Sequence, residues 1–149
     1  MASTPTLLWK DATRVGVQCL VASSPLIDYR ALQADICEQV RDNVADGASL
    51  PVVILPAGDP GVIDAGTVVL LVHAAVQPSV EGGAPLLAFA VRPFRATSEQ
   101  TAQLFGAPPG ATTLSSDGRI GAAFGDALDA ILSQTLPWRM RPSQARPIQ

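Results

Sequence analysis

Apolar residues dominate the stretch from Thr67 to Val76, in which His73 is the polar interruption. Both alternating sets of positions are apolar, a pattern typical of a central strand that is covered on both sides. A turn-rich connection over residues 77–85 follows, and then a second apolar run from Leu86 to Val91. The sequence therefore predicts that the two runs pair as an antiparallel hairpin inside a sheet.

Upstream of this hairpin, the pattern predicts a strand, a helix and a second short strand. From Arg14 the chain alternates, so that one strand face is apolar, with Val15, Val17, Cys19 and Val21. From Asp28 to about Val44 the apolar positions lie three or four residues apart, and Asp28 is placed to cap the helix. The run from Leu50 to Leu55 predicts the second strand.

Downstream, Pro93 removes a ladder donor and marks a strand end, a bulge or an edge. A short helix is predicted from Thr97 to about Phe105, and a last helix from about Arg119 to Thr135, capped by Ser116 or Asp117. The predicted fold class is α+β: a two-layer sandwich with a mixed four- to five-stranded sheet, two main helices packed on one face and one short extra helix.

The expected organisation is an N-terminal arm over residues 1–13, a single domain over 14–138 and a flexible basic tail over 139–149. Thirteen acidic residues against ten basic ones give a net charge of −3, which argues against nucleic acid as a partner. No apolar run approaches the roughly 20 residues that a membrane-spanning helix needs. The small residues after Met1 suggest the start of a mature exported chain whose leader lay upstream.

Two cysteines, Cys19 and Cys37, leave two interpretations open. They lack the spacing of a zinc site, and buried free thiols are the simpler interpretation. If the protein is exported, a disulfide between them is the alternative, because oxidising compartments preserve such bonds.

Several residues are candidates for a binding site. His73 is the single histidine, and its neighbours by alternation are Val69, Leu71 and Ala75. Three large aromatic residues lie outside the regular elements and would serve as interface anchors if they are exposed; they are Trp9, Phe94 and Trp138.

Other polar clusters are explained by local structure. Asp59 and Asp64 flank Gly61 and can bind a cation, although aspartate beside proline and glycine is also ordinary turn chemistry. Residues 115–119 present small polar side chains before the last helix, which favours helix capping over an anion site. We therefore predict no catalytic residue, no metal site and no cofactor.

The element order, the strand start Val15-Gly16-Val17 and the later stretch Asp64-Ala65-Gly66-Thr67-Val68-Val69-Leu70-Leu71 resemble the small α/β module of bacterial envelope proteins. The TolB amino-terminal domain and the CsgG-type lipoproteins of curli secretion are examples. The resemblance covers about Arg14 to Leu136 and departs in the helix near Thr97 and in the lack of a lipidation cysteine. It implies no catalytic residues.

The resemblance implies a non-catalytic, exported interaction or assembly module. Such a module would bind another protein of the cell envelope through a sheet edge or a helix face, and it is compatible with a homo-oligomer. The expected location is the periplasm or the envelope, with the cytoplasm as the alternative.

Two other functions stay open. One is a small-molecule or lipid carrier with a pocket between sheet and helices, lined by residues such as Leu71, Phe89 and Phe124. The other is a small enzyme that uses His73 with a nearby carboxylate.

Overall fold

The computed structural model describes residues 8–25, 27–78, 83–96 and 107–139. Its strands are β1 (Arg14–Val21), β2 (Val52–Ile54), β3 (Thr67–Gln77), β4 (Leu86–Phe94) and β5 (Gly110–Thr113). Its α-helices are α1 (Tyr29–Ala45) and α2 (Ala122–Thr135), and short 3-10 turns occupy Pro60–Ile63 and Pro137–Arg139. The predicted helix from Thr97 to Phe105 lies outside the described residues.

The five strands form one mixed sheet in the order β2-β1-β3-β4-β5. β1 pairs in parallel with β2 and β3, whereas β3 and β4 form the predicted antiparallel hairpin and β5 extends it. Both α-helices pack on the same face of this sheet. The predicted α+β fold class, a two-layer sandwich with two main helices on one face, is confirmed.

Helix α1 forms where its sequence predicts it. The Asp28 carboxylate accepts hydrogen bonds from the backbone N–H groups of Arg30 and Ala31, at 3.1 and 3.3 Å, and so satisfies donors that the first turn leaves unpaired. The side of the helix that faces the sheet is fully apolar and buried, with Leu32, Ile36, Cys37, Val40 and Val44. The periodicity therefore fixes both the helix and the face that it buries.

The helix-covered face of the sheet is the hydrophobic core. It takes alternate residues from each central strand: Val15, Val17, Cys19 and Val21 from β1, Val68, Leu70, Val72 and Ala74 from β3, and Leu87, Phe89 and Val91 from β4. Phe89 contacts Phe124 of α2, with ring centroids 4.9 Å apart. Leu87, Phe89 and Phe124 are at most 2% exposed, so the two layers meet without a polar gap between them.

Among the residues that the structure describes, the opposite face is covered only near the start of β1 and β3. The chain between β2 and β3 crosses β1 there, and Leu55 lies against Gly16. A Cβ atom on Gly16 would lie 2.3 Å from Cδ1 of Leu55, so any larger residue at this position would require the Leu55 side chain to move. Val69 and Thr67 are fully buried at this end.

The last helix begins later than predicted. It starts at Ala122, and its N-cap, Gly121, makes no side-chain cap hydrogen bond. The predicted caps, Ser116 and Asp117, instead lie in a closed loop in which the N–H of Ser115 donates to the carbonyl of Arg119 at 2.9 Å. The prediction of a helix from Arg119 is wrong because this loop takes up the small polar residues that resemble a helix start.

Candidate functional site

The sheet face opposite the helices is exposed beyond Leu71. On β3, Leu71 and Ala75 are half-buried and His73 and Gln77 are exposed, although their neighbours Val72 and Ala74 are buried. The prediction that this strand is covered on both sides is therefore wrong over its second half. The error arises because apolar residues on both faces usually indicate two covering layers, whereas the structure supplies one.

Strand register assembles the exposed residues into one surface. Leu20 pairs with His73, which pairs with Ala90; Ala75 pairs with Ala88, which pairs with Ala111. One row nearer the start of β3, Leu71 pairs with Arg92, and at its far end Gln77 pairs with Leu86. We call this surface the open patch, defined by Leu20, Leu71, His73, Ala75, Leu86, Ala88, Ala90, Arg92 and Ala111.

The open patch is more apolar than a solvated sheet face. Leu20 and Leu86 are 40% and 41% exposed, and Ala88 and Ala111 are also exposed. In an antiparallel sheet with one face in water, the outward positions are normally polar. Here leucine and alanine occupy most of them, so the surface has the composition of one that another molecule covers.

Charge distinguishes the open patch from the rest of the molecule. None of the strands in the described structure contains an aspartate or glutamate, although the chain has 13 acidic residues. Arg92 is exposed on the patch and, among the described residues, has neither an ion pair nor a side-chain hydrogen bond. The outer sides of the helices, by contrast, carry Asp42, Asp46 and Asp129, which pair with arginines of the helix layer.

His73 lies on the open patch with its side chain exposed. Its partners on the adjacent strands are Leu20 and Ala90, which are apolar. The face predicted for His73 from alternation is the one observed, because Leu71 and Ala75 flank it. The exposed imidazole can therefore contact another molecule. The enzyme alternative needs a carboxylate next to it, and the residues paired with His73 on the adjacent strands are not acidic.

Trp9 and Trp138 contact each other instead of standing apart as separate anchors. Their rings meet edge to face with centroids 5.1 Å apart, and Nε1 of Trp138 donates to the carbonyl of Val44 at 3.0 Å. Both are half-buried, and Nε1 of Trp9 is buried with no hydrogen-bond partner in the described structure. The pair fastens the two ends of the described chain to the C-terminal end of α1.

Phe94 is half-buried at the covered end of the second face, where it pairs with Val69. The next residue, Arg95, holds the N-terminal turn against the sheet. Its guanidinium donates to the carbonyls of Ala65 at 2.8 Å and Leu8 at 3.1 Å, and also to that of Lys10. Leu8 is buried in this turn.

The Sγ atoms of Cys19 and Cys37 form a disulfide in the structure, with Cα atoms 5.7 Å apart. The bond joins β1 to α1 inside the core, where both cysteines are 6% exposed. The sequence leaves free thiols and a disulfide open, and the observed geometry is that of a disulfide.

The remaining polar candidates form local structure. Asp59 accepts from the N–H of Gly61 at 2.8 Å, and Asp64 accepts from Oγ1 of Thr67 at 3.1 Å, as turn residues do. Arg119 forms an ion pair with Asp35 of α1 at 2.7 Å. Within the described ranges, no three histidine, cysteine or acidic side chains cluster as metal ligands, and no helix there is long and apolar enough to cross a bilayer.

The three residues predicted to line a carrier pocket do not meet. Phe89 and Phe124 fill the core in direct contact, whereas Leu71 lies on the other side of the sheet. That prediction is wrong because Leu71 and Phe89 point to opposite faces of the sheet. Leu71 pairs with Arg92 and shares its face, and Arg92 is three residues from Phe89 in a strand whose side chains alternate between the two faces.

Sequence reasoning missed the open patch as a site. It proposed a sheet edge or a helix face, because an apolar strand is normally taken as buried. Two signals were present in the chain: the strands of the described structure lack acidic residues, and three of the outward positions of β4 are the apolar Leu86, Ala88 and Ala90. Neither signal is sufficient, because only the pairing of the strands shows which of these residues lie side by side on one surface.

No family model and no curated protein matches this chain, so its resemblance to the TolB and CsgG modules stays a prediction. Among solved structures, the chain is similar to PelC in the PelC dodecamer from Paraburkholderia phytofirmans, with 15% sequence identity and a TM-score of 0.49. The alignment covers 92% of this chain and 91% of that one.

Proposed function

We propose that this protein is a non-catalytic, exported interaction module of the bacterial cell envelope and that it binds another protein through the open patch. The proposal keeps the function expected from the sequence and moves the contact from an edge or a helix to the face of the sheet. The observation that carries it is the exposure of Leu20 and Leu86, at 40% and 41%, on a face that no second layer covers within the described ranges.

The energetic argument rests on apolar area. Each apolar Å² removed from water stabilises a complex by about 25 cal/mol, so covering two leucines and the alanines between them favours association. The cost of leaving them exposed is a tendency to associate without specificity, which soluble chains limit by making outward positions polar. A surface that keeps leucines at such positions is therefore suited to a partner.

The disulfide supports the exported location. Disulfides persist in oxidising compartments such as the periplasm and are rare in the reducing cytosol. The bond between Cys19 and Cys37 closes a loop with a sequence separation of 18 between β1 and the helix packed on it. The bond stabilises the fold only where it forms, and oxidising compartments favour its formation.

Site-specific photo-crosslinking in cells that make the protein tests the proposal. A photoreactive phenylalanine analogue replaces Leu86 on the open patch or, as the matched control, the exposed Ala130 on α2. We expect a discrete crosslinked product from position 86 and none of that size from position 130. Equal products from both positions, or none from either, would contradict protein binding at the open patch.

A further inference from the structure

The shape of the open patch suits a helix. Ala75, Ala88 and Ala111 form a low row across three strands, and Leu20 and Leu86 rise on either side of it. On β3, His73 and Gln77 lie on either side of Ala75 and bound the alanine row. They are four residues apart, which is roughly 13 Å at the rise of a strand. An α-helix with its side chains is about 10–12 Å across, so one helix fits between the two leucines.

The extent of the open patch also matches one helix. From β1 across β3 and β4 to β5 it spans three strand spacings, which is about 14 Å. A helix of about 10 residues has that length. An amphipathic helix of this size presents an apolar stripe to a groove in the way that many peptide-recognition domains use.

Area argues against a second copy of this chain as the occupant. At about 14 Å by 20 Å, the open patch offers roughly 300 Å² per copy, or about 600 Å² in total for two. Stable protein pairs bury about 1,200–2,000 Å². Two copies that met through this face would also bring the Arg92 side chains of both onto one small interface.

The charge of the open patch selects the chemistry of the helix. Arg92 lies on the Leu20 side of the alanine row and has no ion pair among the described residues. Among the described residues, no charged side chain lies in the row of Gln77 and Leu86 on the opposite side. A partner that places carboxylates on only one flank of its apolar stripe would match this asymmetry.

We propose that the open patch binds an amphipathic helix of a partner protein, whose apolar stripe lies along the alanine row and whose carboxylates line the flank facing Arg92. This inference rests on the proposed function, because it names the chemistry of the partner at the same site. The bound helix adds a second helical layer on a face that the described residues leave open.

Two designed peptides test the inference with the full oxidised chain. Both are 14-residue amphipathic helices with a leucine and alanine stripe; one carries glutamates along a single flank and the other carries lysines at the same positions. Affinity is measured by fluorescence anisotropy and the contact surface by amide chemical shifts. We expect the glutamate peptide to bind about three- to tenfold more tightly, because a few exposed ion pairs contribute modestly, and to shift the amides of Ala75, Ala88 and Ala111.

Two variants sharpen the test. Arg92→Glu should reverse the preference between the peptides while leaving the unfolding transition in place, since Arg92 is exposed. Ala88→Glu should weaken both peptides at least tenfold by placing a charge in the groove, and Ala130→Glu on α2 is its matched control, for which no change is expected.

Equal affinity for both peptides, an unchanged preference in Arg92→Glu, or shifts that map to the helices would overturn the inference. If neither peptide binds but crosslinking from position 86 still gives its specific product, the helix inference fails and the proposed function stands. If the product is a covalent dimer of this chain, the second copy is the occupant and the inference is wrong. If crosslinking also gives nothing, the proposed function fails with it.

Discussion

The two faces of the sheet are built from the same strands and differ in what covers them. On β4, Leu87 points into the core and is fully buried, whereas its neighbour Leu86 points the other way and is 41% exposed. Both are leucines in one strand, so composition cannot explain the difference. The helices explain it, because α1 and α2 pack on the face that contains Leu87. On the other face, the described part of the chain places only the short crossover between β2 and β3, near the start of β1 and β3.

The contrast separates stability from binding. A residue on the helix-covered face contributes to folding, because it is removed from water in the isolated chain. An apolar residue on the open patch gains that contribution only when a partner covers it. Substitutions on the two faces should therefore affect different measurements, which makes the comparison testable.

The largest expected effect comes from the neighbouring leucines of β4. Leu87→Ala should lower the free energy of unfolding by about 2–5 kcal/mol, because it leaves a cavity in the packed core. Leu86→Ala, its matched control, should lower it by less than about 1 kcal/mol. Urea denaturation of both variants provides the measurement, and similar losses in the two would mean that the faces are not distinct.

Removal of the disulfide tests the covered face in another way. A Cys19→Ala/Cys37→Ala double variant should lose about 3 kcal/mol, because the separation of 18 residues defines the loop that the bond closes in the unfolded chain. Urea denaturation of the oxidised protein with and without reductant should show a loss of the same order. A reductant-insensitive wild-type transition would contradict the bond.

The close crossing at Gly16 tests the covered end of the second face. Gly16→Ala should cost about 1–3 kcal/mol, because the new methyl group would overlap Leu55. Gly125→Ala on α2 is the control: nothing lies within 4 Å of its added Cβ, and alanine favours a helix by about 1 kcal/mol. Thermal or urea unfolding should therefore shift in opposite directions. A neutral Gly16→Ala would mean that the Leu55 side chain moves aside and that the close contact does not require glycine.

The smallest expected effect distinguishes two arginines of the same strand region. Arg95→Gln should increase hydrogen exchange around Leu8 and lower stability by about 1–2 kcal/mol, because it removes a charged donor from several carbonyls. Arg92→Gln should leave both quantities unchanged, since Arg92 makes no such contact in the described structure. Faster exchange in Arg92→Gln would show that the open patch contributes to folding.

Much of this fold follows from the sequence for clear physical reasons. Asp28 caps α1, and the spacing of Leu32, Ile36 and Val40 sets the face that it buries, so both helix and orientation are local information. The hairpin of β3 and β4 follows from two apolar runs around a turn-rich connection. Such features depend on residues close together in the chain.

The features that the sequence did not reveal depend on contacts between distant residues. An ion pair between Arg119 and Asp35, 84 positions apart in the chain, anchors the loop before α2. The spacing of apolar residues along the sequence does not predict such an ion pair. The contact between Trp9 and Trp138 joins the two ends of the described chain. The open patch is missed for a related reason, because apolar strand residues look alike whether a helix of the same chain or a partner covers them.

The central claim is that the open patch is the surface by which this protein binds its partner. The direct measurement is the yield of the crosslinked product from a photoreactive group at position 86, with and without Leu20→Glu on the other side of the alanine row. The account predicts that Leu20→Glu abolishes the product while the free energy of unfolding changes by less than about 1 kcal/mol. A product that persists undiminished in a folded Leu20→Glu variant would contradict it.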